Sequence, residues 1–284
     1  YRKDSIIIEE WLKRSDKALL VTGARQIGKT WLIREEIAKS GYCKFEVNFI
    51  DQPDLVDYLN VKMSANEFLV KLKMIMPEDC KPQETVVFFD EIQKCPEIVT
   101  KIKFLVEEGS FKYVMSGSLL GVELKGITSV PVGYLTVLRM YPMDFEEFLV
   151  ANDVGKMVID NMRESFNNNQ SLPDALHNKM LDLFKKYLIT GGLPKAVETF
   201  VNSRNIVEIR SIQNEVHDLY EVDCTKYEEE HKRKLKIRRI YEMIPSTLEN
   251  KKKRIVIKDI ENKTWKRTEN YLCLLYTSPS PRDA

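Results

Sequence analysis

The run Gly23-Ala24-Arg25-Gln26-Ile27-Gly28-Lys29-Thr30 constrains this chain more than any other feature, because it satisfies the spacing G-x-x-x-x-G-K-[ST] in full. A loop of this kind turns consecutive backbone N–H groups inward around an anion, at the positive end of the helix that follows, and its glycines permit that backbone. In such a loop the Lys29 ammonium reaches the outer phosphates of a nucleotide and the Thr30 hydroxyl holds Mg²⁺. Ordinary residue frequencies generate the pattern by chance in roughly one chain in a hundred of this length. The flanking sequence argues against chance here. The apolar run "KALLV" enters the loop as a buried strand, and "TWLIREEIAKSG" leaves it as a helix closed by Gly41, which is the order that phosphate binding requires.

Three further strands are expected at "CKFEVNF", "ETVVFFDEI" and "FKYVMSGS", alternating with helices at "SANEFLVKLKMIM" and "EIVTKIKFLVEEG" and preceded by a helix at "SIIIEEWLKRS". Ser64 with Glu67 three residues later has the spacing of a capping box. Alternating strands and helices predict an α/β fold, a parallel sheet flanked by helices on both faces. In "VVFFDEIQKCP" four apolar residues lead to Asp90 and Glu91 at the carboxyl end of a strand, the edge at which open α/β sheets bind ligands. Asp90 is placed to join Thr30 around Mg²⁺, and Glu91 to orient or polarise the water that attacks a γ-phosphate. The next strand ends in "MSGS", so Ser116 or Ser118 can sense the γ-phosphate or help place the water; the simpler reading is a Ser-Gly turn. No N-K-x-D sequence is present to read guanine, and none of the three histidines lies near the loop, which disfavours a GTPase and histidine-based acid–base chemistry.

Charge excludes little: 44 basic and 43 acidic residues leave +1, so no global field draws the chain to nucleic acid or an anionic membrane. The five cysteines are scattered without a C-x-x-C pair, which suggests neither a disulfide framework nor a zinc site and fits a reducing, cytoplasmic setting. No apolar run approaches the ~18 residues of a membrane helix. From residue 142 onward the pattern is largely helical, with "ESFNNNQSLPD" (164–174) its most loop-like stretch and a helix pair broken by Gly191, Gly192 and Pro194. A long helix is expected from Ile206 to about Tyr227, more helix in "HKRKLKIRRIYEMI", and a short strand or helix in "KRIVIKDI". The run "EEEHKRKLKIRR" (228–239) admits contact with a phosphate backbone, although acids four residues before Lys and Arg also describe an ion-paired, solvated helix. Trp11, Trp31 and Trp265 read as packing residues.

The segments "TGARQIGKT", "FFDEIQKCP", "MSGSLLG", "MYPMDFEEFL", "YLITGGLPKAV" and "IPSTL" occur in an order that resembles prokaryotic AAA-superfamily ATP-binding proteins, over roughly residues 1 to 272. The resemblance implies an AAA-type P-loop NTPase core at 1–150 with its sensor at Ser116, a helical region at 151–235, and the start of a winged-helix-like domain at 236–272, which in relatives leads to a restriction-nuclease-like fold. It implies ATP and Mg²⁺ as ligands, a DNA or protein partner for the C-terminal half, and a homo-oligomer, because AAA-type sites often borrow a neighbour's arginine. Two departures stand out. Where many relatives carry Gly-Arg, this chain has Gly133-Tyr134, with Arg139 five residues later. Residues Cys273 to Asp283 also match the translation of a transposon-type sequencing adaptor, so 273–284 is expected to be foreign to the natural protein, whose gene is expected to continue beyond Leu272. Together these features lead to an expectation of Mg²⁺-dependent ATP hydrolysis driving a conformational change. The alternatives are a nucleotide-gated DNA- or protein-binding switch, and a P-loop kinase that phosphorylates a small molecule.

Overall fold

The computed structural model describes residues 1–118, 133–226, 228 and 230–249. The expectations for "KRIVIKDI", Trp265, the adaptor-like tail and most of 236–272 lie outside the described residues. Two compact units divide at Ile209/Arg210, inside a helix.

The first unit contains five strands, β1 (Ala18–Gly23), β2 (Cys43–Asn48), β3 (Thr85–Asp90), β4 (Lys112–Ser118) and β5 (Leu135–Met140), all parallel in the order β2-β3-β4-β1-β5. Helices α1 (Asp4–Arg14), α2 (Lys29–Ser40), α3 (Pro53–Leu59), α4 (Ala65–Ile75) and α5 (Glu97–Glu108) accompany the sheet. β1 and β3 are buried at every position, as continuous apolar runs must be when both faces of a sheet are covered. Alternation divides each strand between two cores. Val86 and Phe88 pack with Leu19, Val21, Leu32 and Ile33, whereas Val87 and Phe89 pack with Phe68, Leu72, Ile98 and Tyr113. Burying each such side chain contributes about 1.5–3 kcal/mol relative to leaving it exposed. The capping box at α4 forms as its sequence predicts: the Glu67 N–H donates to Ser64 Oγ at 3.2 Å and the Ser64 N–H to Glu67 Oε2 at 2.8 Å.

The "YPMDFEEFL" segment leaves β5 and enters α6 (Phe145–Ala151) through a second capping box, Asp144 with Glu147. Helices α7 (Lys156–Asn167), α8 (Asp174–Thr190) and α9 (Pro194–Ser203) follow. Phe145, Phe148, Phe184, Tyr187 and Phe200 form an aromatic group among α6, α8 and α9, with ring centroids 5.1–6.4 Å apart. Two expectations need correction. The stretch 164–174 is helical up to Asn167, because Ile159 and Met162 anchor α7 in an apolar cluster and carry its last turn with them. Trp31 is not a packing residue: it is 59% exposed, since α2 buries the stripe Lys29, Leu32, Ile33, Glu36 and Ile37 and residue 31 falls outside that stripe. Trp11 does pack, and its indole N–H donates to the Lys17 carbonyl at 2.7 Å.

In the second unit the last part of α10 (Ile206–Lys226) is joined to α11 (His231–Glu249) by the Tyr241 hydroxyl, which donates to the His217 carbonyl at 3.3 Å, and by an Arg238–Glu221 ion pair. Arg233 is shared between Glu228 and Glu230, and Arg238 also meets Glu242, so two cations of the basic run are ion-paired on a solvated helix. Among the described residues no helix is long and apolar enough to cross a membrane.

Candidate nucleotide-phosphate site

The loop between β1 and α2 is shaped by two glycines. A Cβ on Gly23 would lie 2.2 Å from the Met140 carbonyl oxygen, so no side chain is tolerated where β1 passes the end of β5. Gly28 sits at φ 89° as the residue preceding α2, a left-handed backbone that favours glycine. Ile27 is fully buried beneath the loop, Ala24 and Arg25 are half-buried, and Gln26 is exposed at its tip with φ 60°. Lys29 opens α2 and turns back inside the loop, its ammonium donating to the carbonyls of Gly23 at 3.1 Å and Ala24 at 2.5 Å. Burial pulls its pKa down to about 8; Glu91 and Asp90 oppose that fall, and Arg25 adds to it.

Three strands deliver groups to the same edge. Asp90 ends β3, buried to 3% exposure, and accepts from the Thr30 hydroxyl at 3.2 and 3.0 Å, from Ser116 Oγ, and from Asn48 Nδ2 at 3.4 Å. Burial holds its carboxyl above the usual range, against the Ser116 and Thr30 hydrogen bonds, which lower it. Ser116 comes from the middle of β4, opposite Val21. Asn48 ends β2, directly opposite Asp90 in the sheet. Glu91 follows in a left-handed conformation, φ 58°, and its carboxylate accepts from the buried Gln93 amide. Five of the anticipated residues, Lys29, Thr30, Asp90, Glu91 and Ser116, therefore gather around the loop, while Ser118 is buried at the end of β4 beside Gly23 of β1. Arg139 is exposed on β5, opposite Thr22, and the Tyr134 hydroxyl donates to Glu107 at 2.6 Å.

Four neighbours were not anticipated. Asn48 and Gln93 lie in segments already assigned to a strand and to the acidic stretch, and the strand-end rule that singles out Asp90 applies equally to Asn48. Arg2 and Pro194 leave no such signal. Buried Arg2 donates from Nη1 to the Ile27 carbonyl in the loop at 2.8 Å, from Nη2 to the Tyr141 carbonyl at 2.6 Å, and from Nε to Glu147 at 3.1 Å. Pro194, at the start of α9, approaches Gly28: its Cγ is 3.7 Å from where a Cβ there would stand. The "GGLP" turn thus borders the loop, fixed by the Met143 N–H donating to the Gly192 carbonyl at 2.8 Å.

A buried lysine opposed by two carboxylates at a helix N-terminus can neutralise a polyphosphate, and a hydroxyl–carboxylate pair supplies the hard oxygen donors that suit Mg²⁺. Residues 15–149 match the family model of an AAA domain, and residues 181–278 match that of a domain of unknown function, DUF8612. No curated protein sequence matches. Among solved structures, PCH-2 of C. elegans is similar at 12% identity and a TM-score of 0.40, over 75% of this chain. Cdc6p from Pyrobaculum aerophilum is similar at 17% identity and a TM-score of 0.34, over 51%. The chain spans 64% and 45% of their respective lengths. The sheet order, the phosphate loop and the family match over 15–149 agree on the fold of an AAA-type P-loop NTPase for this part of the chain.

Proposed function

We propose that this protein hydrolyses the β–γ anhydride of ATP in an Mg²⁺-dependent reaction and uses the cycle to change the conformation of its C-terminal half. The observation that carries the reading is the meeting of Lys29, Thr30, Asp90, Glu91 and Ser116 at one sheet edge. In this reading the loop N–H groups of Gly23 to Thr30 bind phosphate oxygens, and Lys29 exchanges its two carbonyl acceptors for the β- and γ-phosphates. Thr30 and Asp90 would hold Mg²⁺, which supplies charge neutralisation across the phosphates when bound. Glu91, oriented by Gln93, accepts a proton from the attacking water, and Ser116 reports the γ-phosphate state to Asp90.

A second reading, a nucleotide-gated DNA- or protein-binding switch with little turnover of its own, is favoured by the arginine position. By the resemblance, Tyr134 falls where an Arg is expected in AAA-superfamily proteins, and Arg139 is exposed. Hydrolysis would then await a homo-oligomer in which a second copy supplies the cation. Phosphate release from Mg-ATP, compared with a Glu91→Gln variant shown to bind ATP, separates the two. Loss of at least about 100-fold in the variant supports hydrolysis with Glu91 as base. Equal, negligible release from both proteins overturns autonomous turnover.

A further inference from the structure

Cys43 and Cys80 stand 37 positions apart in the chain, yet their sulfurs lie 2.7 Å from each other. Secondary structure places both. Cys43 is the first residue of β2, the edge strand, and its N–H donates to the Glu84 carbonyl at 2.8 Å as the strand begins to pair with β3. Cys80 lies in the loop from α4 to β3, where its N–H donates to the Pro77 carbonyl at 3.1 Å. Thr85, opposite Cys43 in the sheet, donates from its hydroxyl to the Lys81 carbonyl at 2.8 Å and so closes the same loop onto the strand. Both thiols are half-buried, open to a small oxidant, whereas Cys95 and Cys224 are buried. Packing alone does not require two sulfurs in contact at the rim of a sheet, and nothing in the proposed phosphate chemistry uses them.

We propose that Cys43 and Cys80 form a reversible dithiol–disulfide pair, oxidised by a peroxide-class oxidant, that fastens the edge strand β2 to the loop leading into β3. The chemistry balances in two steps. The Cys43 thiolate attacks a peroxide oxygen, breaking the O–O bond, to give a sulfenic acid and, for hydrogen peroxide, hydroxide. The Cys80 sulfur then attacks the sulfenic sulfur, forming the S–S bond and, with the Cys80 proton, releasing water. Two thiols lose two electrons in total, and one peroxide is reduced to two waters. Burial and the neighbouring sulfur push the Cys80 thiol up to about 12, so Cys80 keeps its proton until it meets the sulfenic sulfur. The bond would close the excursion that carries α3 and α4, and so restrict the unfolded chain more than the folded one.

The test uses the whole chain, reduced and then exposed to stoichiometric hydrogen peroxide. Expected are a mass loss of 2 Da, a linked peptide pair containing Cys43 and Cys80 in a non-reducing digest, and recovery of both thiols with dithiothreitol. The oxidised protein should melt several degrees higher than the reduced protein, and the difference should vanish in Cys43→Ser and in Cys80→Ser. Differential alkylation of the unsubstituted protein needs no variant. If both thiols remain alkylatable after oxidation, if they end as separate sulfinic acids, or if Cys273 forms the bond instead, the proposal is overturned.

Discussion

Lys29 places a charge where water is scarce, and that has a measurable consequence. Its pKa in the folded, nucleotide-free protein is lowered to about 8 against an ordinary 10.5. Between those values the unfolded chain binds more protons, so the cost of burying the ammonium is fully present below pH 8 and fades as pH rises towards 10.5. Phosphates would restore the proton. Metal-free ATP, titrated by equilibrium fluorescence from pH 7.5 to 9.5, should therefore bind progressively more weakly above pH 8, by up to about tenfold per pH unit. A flat profile would contradict the assignment of Lys29 to the phosphates. Asp90 makes the converse case. Its carboxyl is raised chiefly by burial, so the native state is penalised at pH values above that raised pKa and relieved as pH falls towards the unfolded value. Asp90→Asn should raise the melting temperature of the nucleotide-free protein at neutral pH while abolishing Mg²⁺-dependent turnover; a lower melting temperature would show that the charge itself supports the fold. The phosphate loop and the acidic strand end are legible in sequence because their chemistry is local. Asn48 shares the strand-end position of Asp90 and is legible by the same rule, whereas Gln93 matters only through the carboxylate that Glu91 places beside it.

At the scale of elements, the sheet follows from continuous apolar runs, and the helices between them from 3.6-residue periodicity. What escapes such a reading is α3, seven residues opened by Pro53 and too short to establish a period, and β5, where only Leu138 and Met140 are buried. The connection between the start of the chain and the phosphate loop is also hidden, because Arg2 and Glu147 stand 145 positions apart. Glu147 is 4% exposed and accepts from Arg2, from the Lys3 N–H at 2.7 Å and from the Asp144 N–H at 3.0 Å. Removing Arg2 would leave a buried carboxylate without its cation and the Ile27 carbonyl without its donor. Arg2→Ala should cost about 3–5 kcal/mol of stability, whereas pairing it with Glu147→Gln should cost less than the sum of the single changes. Thermal denaturation of the four proteins in this cycle provides the measurement, and additive effects would show that the pair is not a unit.

For the molecule as a whole, every group assigned to phosphate, metal or water lies between Gly23 and Ser116, in the first compact unit. The boundary between the units, Ile209/Arg210, falls within the span of α10. If ATP turnover drives the C-terminal half, nucleotide must alter the local opening of that half as well as of the phosphate loop. Amide hydrogen exchange of the whole chain, with Mg-ATP and Glu91→Gln to hold the bound state, should show slower exchange in 23–30 together with a changed rate within 210–249. Protection confined to the first unit would leave ATP binding intact and refute the coupling, because a ligand can shift only an equilibrium whose two states it binds differently.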